Sequence, residues 1–165
     1  MAQVDFFLKL DGIKGESADS KHKGEIEIQS FSWGAANQAD IAGSSGGGGG
    51  AGKVSYQDVS LSTHVNEASP LLMLACATGE HIKSALLTVR KQGGEQQDYY
   101  KVTLTDVLIS SYQSGGSAGA NALIPVDQFS LNFAKIEFSY ARQDEKGKLS
   151  APKIGKYDLK ANKKG

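Results

Sequence analysis

The sequence predicts a mainly β fold: an antiparallel β-barrel with one short α-helix and one long, extended glycine-rich loop. Three observations lead there. Segment after segment alternates apolar and polar side chains with a period of two, as strands with one buried face do. Only one stretch carries both a helix start and a helix stop signal. Glycine clusters punctuate the rest. With 165 residues the chain suits one domain, residues 1–165, and at that size about 70% of the unfolded chain's surface can be buried.

Val4 to Leu10 reads as the first strand, broken by Asp11-Gly12-Ile13-Lys14-Gly15-Glu16 and followed by a polar loop to Lys23. From Gly24 a strand resumes with Ile26 and Ile28 on one face, and the apolar phase then jumps to Phe31 and Trp33. An odd shift in a period of two implies a bulge or a change of face. Val54 to Val65 alternates through Val54, Tyr56, Val59 and Leu61 with one slip, which suits a strand that curls into a barrel. The helix follows, with Ser69 as N-cap, Pro70 at the first helical position and Gly79 as the stop. Leu71 to Ala77 are apolar on every side, so this helix needs cover all round, from a barrel end, a partner subunit or both. Three strands come next: Ile82 to Lys91, Tyr99 to Tyr112 and Leu123 to Tyr140, the last shifting phase between Phe133 and Ile136. Gly93-Gly94 turns the first into the second, and Gly115 to Gly119 makes the longer return. Pro152 to Leu159 adds an edge strand, with Pro152 tolerated at its start.

Seven of the ten residues from Gly43 to Gly52 are glycine. A Gly-rich chain of that length spans about 17 Å end to end, far more than a hairpin return requires. Such a loop in a compact domain usually has a task, and this one reads as an arm built to reach a partner. Composition alone equally allows a disordered insertion on a barrel rim.

Lys and Arg number 18, as do Asp and Glu, so no global field favours nucleic acid or an anionic membrane. The balance is uneven: from Lys146 to Gly165 seven lysines face one acid, Asp158, and residues 160–165 read as a basic tail. The single cysteine, Cys76, has no partner for a disulfide or a zinc site and reads as a small apolar side chain. Met1 to Lys9 shows no secretory leader, and no apolar run approaches the roughly 20 residues of a membrane span. The expectation is a protein made in the cytoplasm, without membrane insertion, that needs a dedicated machine to leave the cell.

Several motif matches lack the context their chemistry needs. Gly47 to Lys53 has P-loop spacing, yet Val54 stands where the Ser or Thr belongs and a strand follows instead of a helix. The G-x-G-x-x-G match at Gly47, Gly49 and Gly52 is a by-product of the glycine run. Two G-x-S-x-G matches, at Ser45 and Ser117, lie in low-complexity turns and lack an ordered base. His22, His64 and His81 read as surface or loop residues. Glu25 and Glu27 share a strand face, where glycosidase-like chemistry is conceivable, but they read as a polar face. No catalytic, cofactor or metal residue is expected.

A family likeness then emerges. The stretches Phe7 to Ser17, Lys21 to Ile26 and Ser30-Phe31-Ser32-Trp33-Gly34 resemble the opening of haemolysin-coregulated protein (Hcp). Ala68-Ser69-Pro70-Leu71-Leu72, Ile109-Ser110-Ser111-Tyr112, Phe129 to Ile136, the glycine arm before Lys53-Val54 and Gly155 to Leu159 extend the likeness over nearly the whole chain. The resemblance implies the inner-tube subunit of the bacterial type VI secretion system, a barrel that forms homohexameric rings stacked into a hollow tube. It also implies sheath, baseplate and spike proteins as partners, effector cargo in the lumen, and export from the cytoplasm without a signal peptide. Candidate assembly contacts are Gly43, Gly46, Gly47, Gly48, Gly49, Gly50 and Gly52 on the arm, with Leu72 and Leu74 on the helix. The alternative is a monomeric β-barrel that binds carbohydrate or protein through its loops; a hydrolase built on Ser45 or Ser117 is a third class.

Overall fold

The computed structural model describes residues 3–38, 54–92, 96–121 and 123–165. Their order is β1 (Val4–Leu10), β2 (Ile26–Ile28), β3 (Ser30–Ser32), β4 (Ala35–Asn37), β5 (Val54–Tyr56), β6 (Val59–His64), α1 (Ser69–Thr78), β7 (His81–Lys91), β8 (Gln97–Gly115), β9 (Val126–Tyr140), β10 (Lys153–Asp158) and β11 (Lys163–Lys164). The glycine arm at 43–52 and the Gly93-Gly94 turn lie outside the described residues.

All pairings are antiparallel, and the main path runs β11-β10-β9-β8-β7-β1-β2, with β6 joining β9 and β3 joining β6. The expected barrel is not closed by one regular strand. β2 pairs with β1, β3 pairs with β6, and the circuit is completed covalently through Gln29 between them, whose N–H donates to the Ser62 carbonyl at 2.8 Å. The odd phase shift between Ile28 and Phe31 is therefore a change of partner within one residue. The slip in Val54 to Val65 is a break: β5 pairs with β4 in a separate two-stranded sheet, while β6 belongs to the main sheet. Ala35-Ala36-Asn37 carries little β propensity, which is why β4 is invisible until its partner is seen.

β8 and β9, at 19 and 15 residues, far exceed the usual strand, and their alternation is interrupted along the way. Asp106 takes a left-handed φ of 56°, and the buried set changes phase there from Leu104 to Val107. Neighbouring strands change phase at the same level, Phe133 to Ile136 on β9 and Ile82 to Ala85 on β7, while Thr105 still faces Lys135 and Val107 still faces Phe133. A second irregularity falls between Ile109 and Ser111. Leu8, Ile26, Val59, Val102, Ile109, Phe129 and Leu131 fill the core, each 2% exposed or less.

α1 begins one residue earlier than its capping signal suggested. Ala68 occupies the N-cap with no side-chain cap, and Ser69 lies inside the helix. The Ser69 hydroxyl donates to the buried Asp127 carboxylate and accepts the Asn66 N–H at 3.0 Å, so a tertiary partner has captured the capping group. Gly79 closes the helix in the left-handed region at φ 65°, as its residue type demands. Residues 160–165, read as a basic tail, fold back: β11 pairs with β10, and the Gly165 N–H donates to the Lys156 carbonyl. Their side chains remain exposed.

The 14–25 loop is pinned across β1 and β2. Gly15 and Ser17 donate main-chain bonds to Gly24 and Glu25 at 2.8 and 3.0 Å. A Cβ on Gly15 would lie 2.6 Å from the Glu25 carbonyl oxygen, so only glycine fits this approach.

Candidate functional site

The helix and the sheet present two unlike surfaces. In α1, Leu72 and Ala75 are fully buried in the core beneath the helix. Leu71, Met73 and Leu74 are 45%, 49% and 53% exposed, so an apolar face is left uncovered on the far side. Of the two helical candidates, only Leu74 is on the surface; Leu72 belongs to the chain's own core, because a ten-residue helix lying on the sheet has a fixed inner side. The arm candidates Gly43, Gly46, Gly47, Gly48, Gly49, Gly50 and Gly52 lie outside the described residues.

The second surface spans four strands. Register aligns Ser32, Ser60, Ser130 and Ser111 in one cross-strand row, and Ser30, Ser62, Gln128 and Gln113 in the next. These side chains are exposed or half-buried, and several hydroxyls bond one another: Ser30 to Ser62, and Ser110 and Ser111 to Ser130. The rows hold no charge and no bulky group. Each serine reads singly as an ordinary polar strand position; only the register reveals the two rows.

A third feature is electrostatic. Arg90, 2% exposed, grips Asp19 with both terminal nitrogens at 2.8 and 2.7 Å and Asp5 at 3.2 Å, while its guanidinium lies 4.9 Å from the Phe7 ring centroid. The Arg90 hydrogen bonds hold the Asp19 carboxyl well below the usual carboxylate range, helped by the Lys21 and His22 amides, and Asp19 in turn raises Arg90. His22 lies in the loop, as expected, but buried rather than on its surface: its ring stacks on Phe7 at 4.3 Å between Glu25 at 2.7 Å and Asp98 at 3.1 Å. Beside this cluster opens a cleft of about 830 Å³, lined by Asp5, Glu16, Asp19, Glu27, Arg90 and Ile124 among others.

Among the described residues Ser117 acquires no base. Ser117 is exposed in a loop, and the histidines have other partners: His64 meets Gln29, and His81 meets Asp106 at 3.1 Å. Ser45 lies outside the described residues, as does the P-loop match up to Lys53, and Val54 after it opens a strand. Glu25 is engaged by His22, so it does not form an acid pair with Glu27. Among the described residues no group of three or more His, Cys, Asp or Glu side chains is arranged to hold a metal ion, and no helix is long and apolar enough to cross a membrane.

A family model described as "Type VI secretion system effector, Hcp" matches residues 7–140. The chain belongs to the Hcp family. The curated protein hcp1 of Pseudomonas aeruginosa is 43% identical over 145 residues, which is 87% of each chain. Hcp1 of Salmonella typhimurium superposes with a TM-score of 0.79 at 33% identity, covering 99% of both chains. A structure described as a type six secretion system protein reaches a TM-score of 0.89 at 29% identity, with 99% and 100% covered. An Hcp1 from Flavobacterium johnsoniae, 11% identical with a TM-score of 0.61, shares the fold.

Hcp proteins are type VI secretion proteins, a structural and secreted family, so the chemistry to seek in this Hcp chain is that of surfaces. The helix face was partly legible, since an all-apolar helix announces some need for cover. The serine rows and the Arg90 cluster were missed; they arise from pairings such as Ser60 with Ser130 and Arg90 with Asp19, far apart in the chain.

Proposed function

We propose that this Hcp chain is the structural subunit of the type VI inner tube. Copies close into hexameric rings, rings stack into a hollow tube, and the tube passes out of the cell with effector cargo in its lumen. The observation that carries self-assembly is the uncovered apolar face of α1, Leu71, Met73 and Leu74, which a solitary soluble barrel gains nothing by exposing. The serine rows suit the lumen wall: short neutral hydroxyls offer a smooth, hydrated track to which neither charged nor apolar cargo sticks strongly. The arm at residues 43–52 links one ring to the next, and sheath, baseplate and spike proteins meet the outside and the ends.

Negative-stain microscopy of the purified chain, paired with sedimentation, tests the reading. Annuli with a central hole and a mass near six copies are expected. A monomer that persists at high concentration refutes the tube and favours the loop-binding module.

A further inference from the structure

We propose that the lysine-bearing edge formed by β10 and β11 of one copy seats in the carboxylate cleft beside β1 and β2 of the next. The inference rests on the self-assembly reading and names the contact that reading needs. The charge distribution gives the first argument. Residues 1–145 hold 11 basic and 17 acidic side chains, a net −6, whereas residues 146–165 hold seven lysines and one acid, a net +6. The chain is neutral only as a whole, so each copy carries two patches that attract each other and repel themselves.

Both patches have the right geometry. In the cleft, Asp5, Glu16, Asp19 and Glu27 outnumber the single guanidinium of Arg90. Glu27 is exposed on β2 and makes no ion pair among the described residues. On the other patch, Lys153, Lys163 and Lys164 are exposed and make no ion pair among the described residues. Ile154 is 54% exposed on β10, and Val65 and Ile124, 39% and 61% exposed, line the cleft, so apolar surface meets apolar surface as charge meets charge.

Sheet order supplies direction. β11 and β10 stand at one end of the strand path and β1 and β2 at the other, so the donor and acceptor patches are different surfaces. Repeated head to tail with a closing rotation, a contact between unlike patches makes a ring. Outward-facing Lys156 already pairs with Glu137 at 3.2 Å, so the seating charge falls to Lys153, Lys163 and Lys164. Main-chain groups of β10 ahead of its pairing with β11, at Lys153 to Gly155, add ordinary strand-edge bonding.

Charge exchange tests the contact. Glu27→Lys alone, and Lys163→Glu with Lys164→Glu, each place like charges together, and each weakens copy-to-copy association at least about tenfold in low salt. All three changes in one chain restore association to within about threefold of the parent. Sedimentation velocity reads the masses, and thermal melts confirm folding; if Glu27→Lys fails to fold, Glu27→Gln replaces it and weakens association by a smaller factor. Reversals that leave the ring mass untouched, or a combination that fails to rescue, overturn the proposal while rings of the parent chain keep the tube reading intact. A parent chain that never forms rings sinks the tube reading itself.

Discussion

Arg90 is a cation sealed 2% exposed beneath a loop, and its position has a price unless two carboxylates stay beside it. Arg90→Met leaves Asp5 and Asp19 without their cation, and urea unfolding at pH 7 is expected to show a loss of about 3 kcal/mol. Asp19 gives the reciprocal test. Its folded pKa is depressed, chiefly by the Arg90 hydrogen bonds, below an unfolded value of about 4. Its contribution is therefore complete above that unfolded value and is lost as pH falls from it towards the folded one. Asp19→Asn should cost about 1–2 kcal/mol at pH 7 and show a shallower acid decline than the parent, so the gap between the two stabilities narrows as pH falls below about 4. Parallel curves would mean that the Asp19 charge adds no stability to the folded chain. Little of this was readable beforehand: Asp19 and Arg90 lie 71 positions apart, and a charged loop reads as solvated until its partner strand is placed.

At the scale of an element, α1 divides its leucines between two jobs. Leu72→Asp puts a carboxylate at a fully buried position in the core and should cost about 4 kcal/mol or more, whatever the chain assembles with. Leu74→Asp sits on the exposed face and should change unfolding by no more than about 0.5 kcal/mol while lowering the sedimenting mass of the assembly. An unchanged ring mass for Leu74→Asp would remove this face from the subunit boundary. The helix's existence and its Gly79 stop were legible because capping and φ > 0 are local demands. Its start was not, since the Ser69 hydroxyl went to Asp127 on β9, 58 residues away. The strands follow the same division. Long alternating runs identify β7, β8 and β9, whereas β4, the β2 to β3 partner change at Gln29 and the fold-back of β11 are set by neighbours that only the assembled sheet supplies.

On the scale of the whole molecule, the described fold brings the stems of the arm together. Asn37 pairs with Val54, so the chain between them leaves and rejoins the barrel at one place. The β4–β5 sheet is separate from the main one, and Tyr56 anchors it by packing edge-on against Phe133 at 5.8 Å. Removing residues 43–52 leaves 38–42 and 53 to join the stems, enough chain for an ordinary hairpin connection. The deletion should therefore melt with the parent, because loop length enters stability only logarithmically. If the arm spans rings, the shortened chain forms annuli of normal mass and microscopy finds no tubes, whereas charge reversal at Glu27 or Lys163 breaks the annuli themselves. Those two failures separate contacts around a ring from contacts along the tube. Tubes of normal length from the deleted chain would assign stacking to the barrel rims alone, and the glycine run would then have no part in it.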